Sequence, residues 1–120
     1  MRLIGQVMLW ITAVALVSPA TSGPAAQASS TVGEQVLLDN TRVMVVAYTF
    51  PPGFRGDEHA AVADEFAYVL DGRFTVATRG RGSRVVGPGE IEYATKGTVH
   101  ASMNEAARPA RVLVVLLKER

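Results

Sequence analysis

The sequence predicts an all-β fold: an antiparallel sandwich, a jelly roll or a β-barrel. Three observations carry that expectation. From Gln35 to Lys118 the chain breaks into short runs rich in Val, Thr, Tyr and Phe, the residues that fit a pleated, half-buried surface. Turn residues punctuate these runs every ~8–12 positions, the spacing of a small sandwich or barrel. No convincing helical period runs through the same region. At 120 residues and 48% hydrophobic, the chain has material for one modest core and hence one domain.

The elements follow in order. Met1 to Ala28 has the parts of a secretory signal peptide: Arg2, an apolar run from Val7 to Val17 and an Ala26-Gln27-Ala28 end. As a helix that run reaches about 16 Å, short of a ~30 Å hydrocarbon core. Residues 29–40 form a lead-in whose last part, Gln35–Leu38, is a first short strand ended by Asp39-Asn40. Residues 41–120 form the β-barrel domain. Arg42–Phe50 is a strand stopped by Pro51-Pro52-Gly53. Phe54–Ala63 shows no clear period, though Asp57, His59 and Ala61 share one parity. Glu65–Leu70 is the next strand, and Asp71-Gly72 reads as a hairpin turn into Arg73–Thr78. Gly80-Arg81-Gly82 turns into Arg84–Val86, and Gly87-Pro88-Gly89 leads to Glu90–Tyr93. Lys96-Gly97 turns the chain into Thr98–Met103, and Asn104–Pro109 is a loop. Within the last strand, Arg111–Lys118, the run Val112–Leu117 is continuously apolar, as expected of a strand buried on both faces. Such long apolar strands in so small a body predict a homodimer that covers one of them.

Composition narrows the chemistry. A net charge of +1 gives no basis for a nucleic-acid partner. With no cysteine there are no disulfides, thiolate nucleophiles or Cys-based zinc sites, so any metal must be held by His, Asp, Glu and water. Arg73, Arg79, Arg81 and Arg84 gather around one hairpin and read as a solvated face. Tyr48, Phe50, Phe66, Tyr68, Phe74 and Tyr93 read as core.

Both histidines lie in two spaced blocks. The first runs Gly53, five residues, His59-Ala60-Ala61, three residues, Glu65, six residues, Gly72. The second runs Gly89, five residues, Thr95-Lys96-Gly97, two residues, His100, three residues, Asn104. In this double spacing the chain resembles the cupin superfamily, small jelly-roll β-barrels, and in particular its single-domain, quercetin-dioxygenase-like members. The resemblance implies a cupin-type jelly-roll β-barrel. It also implies a metal site held by His59, Glu65 and His100. The chain departs from the motifs at Thr95, where they have proline, and at Ala61, where they have a second histidine. Residues two apart on a strand share a face, so Ala61 is expected to point inward beside His59, with a methyl that cannot coordinate.

Two histidines and one carboxylate still make a three-point site for Fe, Mn, Ni, Cu or Zn. Asp57, of the same parity as His59, is a candidate extra ligand, whereas Glu58 and Asp64 are expected to face solvent. Two functions stand against each other. One is an exported, periplasmic or secreted metal-dependent enzyme, dioxygenase-like or isomerase-like, acting on a small molecule. The other is a non-catalytic binding or sensor module that has lost its metal with the histidine replaced at Ala61. Neither needs a membrane in the mature form. No residue pair matches a nucleophile and base, so the catalytic groups stay open.

Overall fold

The computed structural model describes residues 31–119; the predicted signal peptide, Met1–Ala28, lies outside them. The described residues form nine strands: β1 (Gly33–Asp39), β2 (Val43–Phe50), β3 (His59–Ala60), β4 (Asp64–Asp71), β5 (Phe74–Thr78), β6 (Gly82–Val86), β7 (Ile91–Ala94), β8 (Val99–Met103) and β9 (Ala110–Leu117). All pairings are antiparallel. One sheet has the order β1-β2-β9-β4-β7, and the other β3-β8-β5-β6. Two packed antiparallel sheets make the all-β, jelly-roll architecture the sequence predicts. Among the described residues no helix is long and apolar enough to cross a membrane.

The strand positions follow the apolar runs closely, but one connection differs. Asp71-Gly72 is not a hairpin turn: β4 pairs with β9 and β7, while β5 pairs with β6 and β8 in the other sheet. The turn carries the chain from one sheet to the other, and the hairpin of this region is β5–β6, closed at Gly80-Arg81-Gly82. Gly72 makes the crossing with φ +75, passing so close to the loop before β9 that a Cβ would sit 2.3 Å from the Pro109 carbonyl oxygen. Only glycine fits that backbone path.

Alternation along each strand sends one side chain set between the sheets. Val46, Val69, Val86 and Val112 are at most 1% exposed. Val69, Val86 and Val112 pack with Phe50, Phe74, Val76 and Ala110 as the core, and each buried valine contributes roughly 1.5–3 kcal/mol. The opposite parity faces outward. Phe66, Tyr68 and Tyr93 therefore do not join the core, and Tyr68 and Tyr93 are 37% and 48% exposed. Their neighbours Glu65, Ala67 and Glu92 take the inward positions instead. In β9, Val112 is buried, but Leu113 and Val115 are only partly covered and Leu117 is exposed. The continuous apolar run thus serves two surfaces, one of which is open.

At the end of the sandwich near Gly53, Asn104 closes the fold. Fully buried, it donates to the carbonyls of Phe50 (3.0 Å) and Arg108 (2.8 Å) and accepts from the Ala106 N–H (2.9 Å). The last residue of the second motif is therefore a clamp between the end of β2 and the loop before β9.

Candidate functional site

The short strand β3, which lies in the stretch without clear period, places the first histidine. Its pairing with β8 sets His59 directly opposite His100. Side chains so paired stand side by side on one face of a sheet, and the two rings meet edge to face with centroids 4.9 Å apart. Glu65 comes from β4 in the facing sheet, and its Oε1 lies 3.6 Å from His100 Nε2. All three side chains line one cavity of about 440 Å³, within the usual ~300–1,000 Å³ of small-molecule sites.

The two imidazoles differ in setting. His59 is exposed at the mouth, and its Nδ1 is 3.0 Å from the Asp57 carbonyl oxygen. With the proton on Nδ1 donated to that oxygen, Nε2 keeps a free lone pair, the arrangement typical of a ligating histidine. His100 is buried at 7% exposure, and its Nδ1 has no hydrogen-bond partner among the described residues. An orphaned buried nitrogen is uncommon and marks a place where a partner is wanted.

The rest of the cavity is mostly apolar, with Tyr48, Phe50, Phe54, Phe74, Val114 and Leu116 prominent in its wall. The Tyr48, Phe54 and Phe74 rings each stack near-parallel on Phe50 at 5.1–6.0 Å, so this aromatic group is at once core and cavity wall. Tyr48 donates from its hydroxyl to Glu34 at 3.3 Å. Burial first, then the charge and hydrogen bond of Glu34 and the charge of Glu65, push its phenol above the ordinary range. It therefore stays protonated at neutral pH. Glu92 adds a second inward carboxylate, held by Arg84 Nη1 at 2.5 Å, while the same nitrogen donates to the Ile91 carbonyl. Arg84 is thus not simply a solvated arginine, because it braces an acid of the cavity wall. Ser102 lines the cavity two residues after His100.

Of the residues singled out from sequence, His59, Glu65, His100 and Asp57 all reach the cavity. Asp57 also acts through its backbone, as the acceptor for the His59 ring. Ala61 is buried at 3% exposure but is not among the residues lining the cavity; its N–H and C=O are tied to Thr98 and Gly97, both at 2.8 Å. Glu58 and Asp64 stay out of the cavity: Glu58 pairs with Arg79, and Asp64 accepts from the Tyr93 hydroxyl and the Lys96 N–H. Thr95, at the proline position, closes its turn through the Thr98 N–H at 3.0 Å and the Thr98 hydroxyl at 3.1 Å. Sequence reasoning missed Ser102 and Glu92. Ser102 was within reach, since it shares parity with His100; Glu92 sits in a polar–apolar alternation that does not say which face is inward.

The donor chemistry suits a first-row transition ion. Two ligands each ~2.1 Å from one tetrahedral ion are about 3.4 Å apart, close to the 3.6 Å between Glu65 Oε1 and His100 Nε2. Among the described residues, however, no three His, Asp or Glu groups are gathered tightly enough to hold an ion as they stand.

Two antiparallel sheets enclosing a cavity, with paired histidines and a carboxylate at its polar end, define a jelly-roll barrel. The chain belongs to the cupin family: the cupin domain matches residues 46–116. It is similar in structure to a cupin superfamily protein from Desulfitobacterium hafniense (17% identity, TM-score 0.67, 74% of this chain and 79% of that one). It also resembles a double-stranded β-helix cupin from Methanocaldococcus jannaschii (16%, TM-score 0.69, 75% and 83%). A third similar structure is a DMSP lyase from Ruegeria pomeroyi (21%, TM-score 0.68, 73% of this chain but 47% of that one). No curated protein matches the chain.

Proposed function

We propose that this cupin is an exported, metal-dependent protein that acts on a small molecule in its barrel cavity, with His59, Glu65 and His100 as the metal ligands. The observation that carries this reading is the meeting of β3 and β8, which sets the two histidines opposite each other with Glu65 facing His100 across the barrel. A divalent transition ion bound there supplies Lewis-acid or redox chemistry. The chain's own residues do the rest. The Asp57 carbonyl fixes the His59 ring. The aromatic wall takes the apolar body of the ligand and excludes water, and the protonated Tyr48, Glu92 and Ser102 offer polar contacts along the cavity. The signal-peptide features of Met1–Ala28 support export.

Elemental analysis of protein purified without chelator tests the reading. The expected result is near one equivalent of Fe, Mn, Ni, Cu or Zn, with a raised melting temperature in the loaded form. One observation favours a second reading: the donors are not gathered into a group of three, and the motif's other histidine is Ala61. In that case the same cavity binds an organic ligand without metal. Absence of metal after purification, with no melting shift on adding any, selects this reading over the first.

A further inference from the structure

We propose, resting on the reading of the cavity as a small-molecule site, that its ligand is an amphipathic amine: a flat apolar body carrying a protonated nitrogen that Glu92 accepts. Among the described residues that line the cavity, the charged side chains apart from the histidines are Asp57, Glu65 and Glu92, and none is a lysine or an arginine. Arg84 balances Glu92 from outside. It stands on β6, its side chain is 51% exposed, and with Arg81 and Ser83 it lines a separate surface depression that shares Glu92 with the cavity.

The polar groups facing inward accept more than they donate. An ionised carboxylate only accepts, at about four lone-pair sites. Arg84 Nη1 takes Oε1 of Glu92, so the carboxylate keeps capacity for a donor inside the cavity. His59 gives its Nδ1 proton to the Asp57 carbonyl, which leaves Nε2 as a further acceptor. Tyr48 already donates its hydroxyl to Glu34. A protonated amine carries only donors and no acceptor, the complement of this lining. A carboxylate or phosphate would enter a largely apolar space beside like charges, where repulsion is strong.

The strand register sets the ligand's reach. Glu65 pairs with Ala94 across β4 and β7, and Glu92 lies two residues back on β7, opposite Ala67. Glu65 and Glu92 are thus diagonal neighbours on one face of the sheet, with backbones about 7–8 Å apart. One end of a ligand can meet Glu65 and His100 while the other meets Glu92, and the aromatic wall takes the body that joins them.

NMR titration of chelator-treated protein with para-hydroxybenzylamine, para-hydroxybenzyl alcohol and para-hydroxybenzoate compares a cation, a neutral molecule and an anion of similar shape. The amine should bind about tenfold more tightly than the alcohol, and the benzoate most weakly. Glu92→Gln keeps the side chain's size and removes its charge. It should erase most of the amine's advantage and leave the alcohol's affinity within about twofold of the parent's. Glu58→Gln, outside the cavity, should keep the parent's ranking. Benzoate binding as tightly as the amine overturns the proposal. So does an amine advantage that survives Glu92→Gln, or no binding of any probe up to ~10 mM, a range that covers molecules this small. The parent's ranking decides the matter even if Glu92→Gln fails to fold. Because these titrations are metal-free, a protein that purifies without metal overturns the metal assignment and leaves the ranking standing.

Discussion

Replacing His100 with alanine should leave the metal-free chain close to its parent in stability while removing most of its stabilisation by metal. The ring is buried, and its Nδ1 has no partner among the described residues, so truncation breaks no hydrogen bond at that nitrogen. Relief of an unsatisfied buried polar atom is worth ~1–3 kcal/mol. That offsets much of the lost packing, which is modest because the ring already borders an open cavity. The net change should stay within about 2 kcal/mol. For ~90 folded residues the unfolding entropy is about 0.19 kcal/mol per degree, so 1 kcal/mol moves the melting temperature by ~5 °C. Metal at a thousand times its Kd stabilises by ~4 kcal/mol, a rise of roughly 20 °C. A ligand lost from a three-ligand site cuts affinity at least as much as the 10–100-fold typical of an outer-shell change. A hundredfold loss leaves a rise of about 7 °C or less. Thermal melts of parent and variant, with and without each of Fe(II), Mn, Ni and Zn, measure both quantities. A full metal-dependent rise in His100→Ala refutes the ligand assignment.

Other substitutions probe the frame around the site. Asn104→Ala removes three hydrogen bonds and strands two carbonyls, so urea denaturation should show a loss of ~2–4 kcal/mol; a loss under ~1 kcal/mol contradicts the clamp. Gly72→Ala forces a Cβ against the Pro109 carbonyl oxygen and Ala110 Cα at a positive φ, and should cost more than ~3 kcal/mol, or about 15 °C in melting temperature. Ala61→His should destabilise by ~1–3 kcal/mol through overpacking, because Ala61 is buried and tied to Thr98 and Gly97; a larger metal-induced melting rise in this variant would instead show a fourth ligand reaching the site. The hydrogen bond from Arg79, and less strongly its charge, holds the Glu58 carboxyl below its ordinary 4.5 against a raising effect of desolvation. That pair's stabilisation is complete above about 4.5 and is lost as pH falls through the lower folded value. An NMR titration should place the Glu58 midpoint below 4.5 and shift it upward in Arg79→Ala.

The fold was legible because period-two patterning and turn residues are local. β2, β5 and β9 can be read directly from their apolar runs. What local pattern cannot supply is the partner of each strand. Asp71-Gly72 has the composition of a hairpin turn, yet the chain crosses between sheets there. At the crossing Gly72 passes tightly against Pro109, a residue 37 positions away, which no local pattern can show. Inward and outward parity failed for a related reason. In Glu65-Phe66-Ala67-Tyr68 both parities hold apolar or aromatic groups, because the outer face of this sheet is itself apolar. Reading Glu65 as an inward ligand already required Phe66 and Tyr68 to point out; treating the aromatics as core ignored the alternation that places the carboxylate.

The site was legible to the extent that the two motifs encode geometry rather than contact. Six positions after Gly53 the chain reaches His59 on β3, and three positions after Gly97 it reaches His100 on β8, so the spacings fix positions in two strands. The register His59–His100 exists only once those strands pair, and β3 is too short to show any alternation of its own. The same limit applies to Glu92 and its brace Arg84. Each belongs to a short strand with no decisive pattern, and they meet through the fold rather than through sequence spacing. A carboxylate pinned by an arginine beside a second carboxylate that faces His100 gives the cavity two acids in different electrostatic settings. Among the described residues Glu65 pairs with no lysine or arginine, and its contact is with His100, as the proposed sharing of an ion between the two requires.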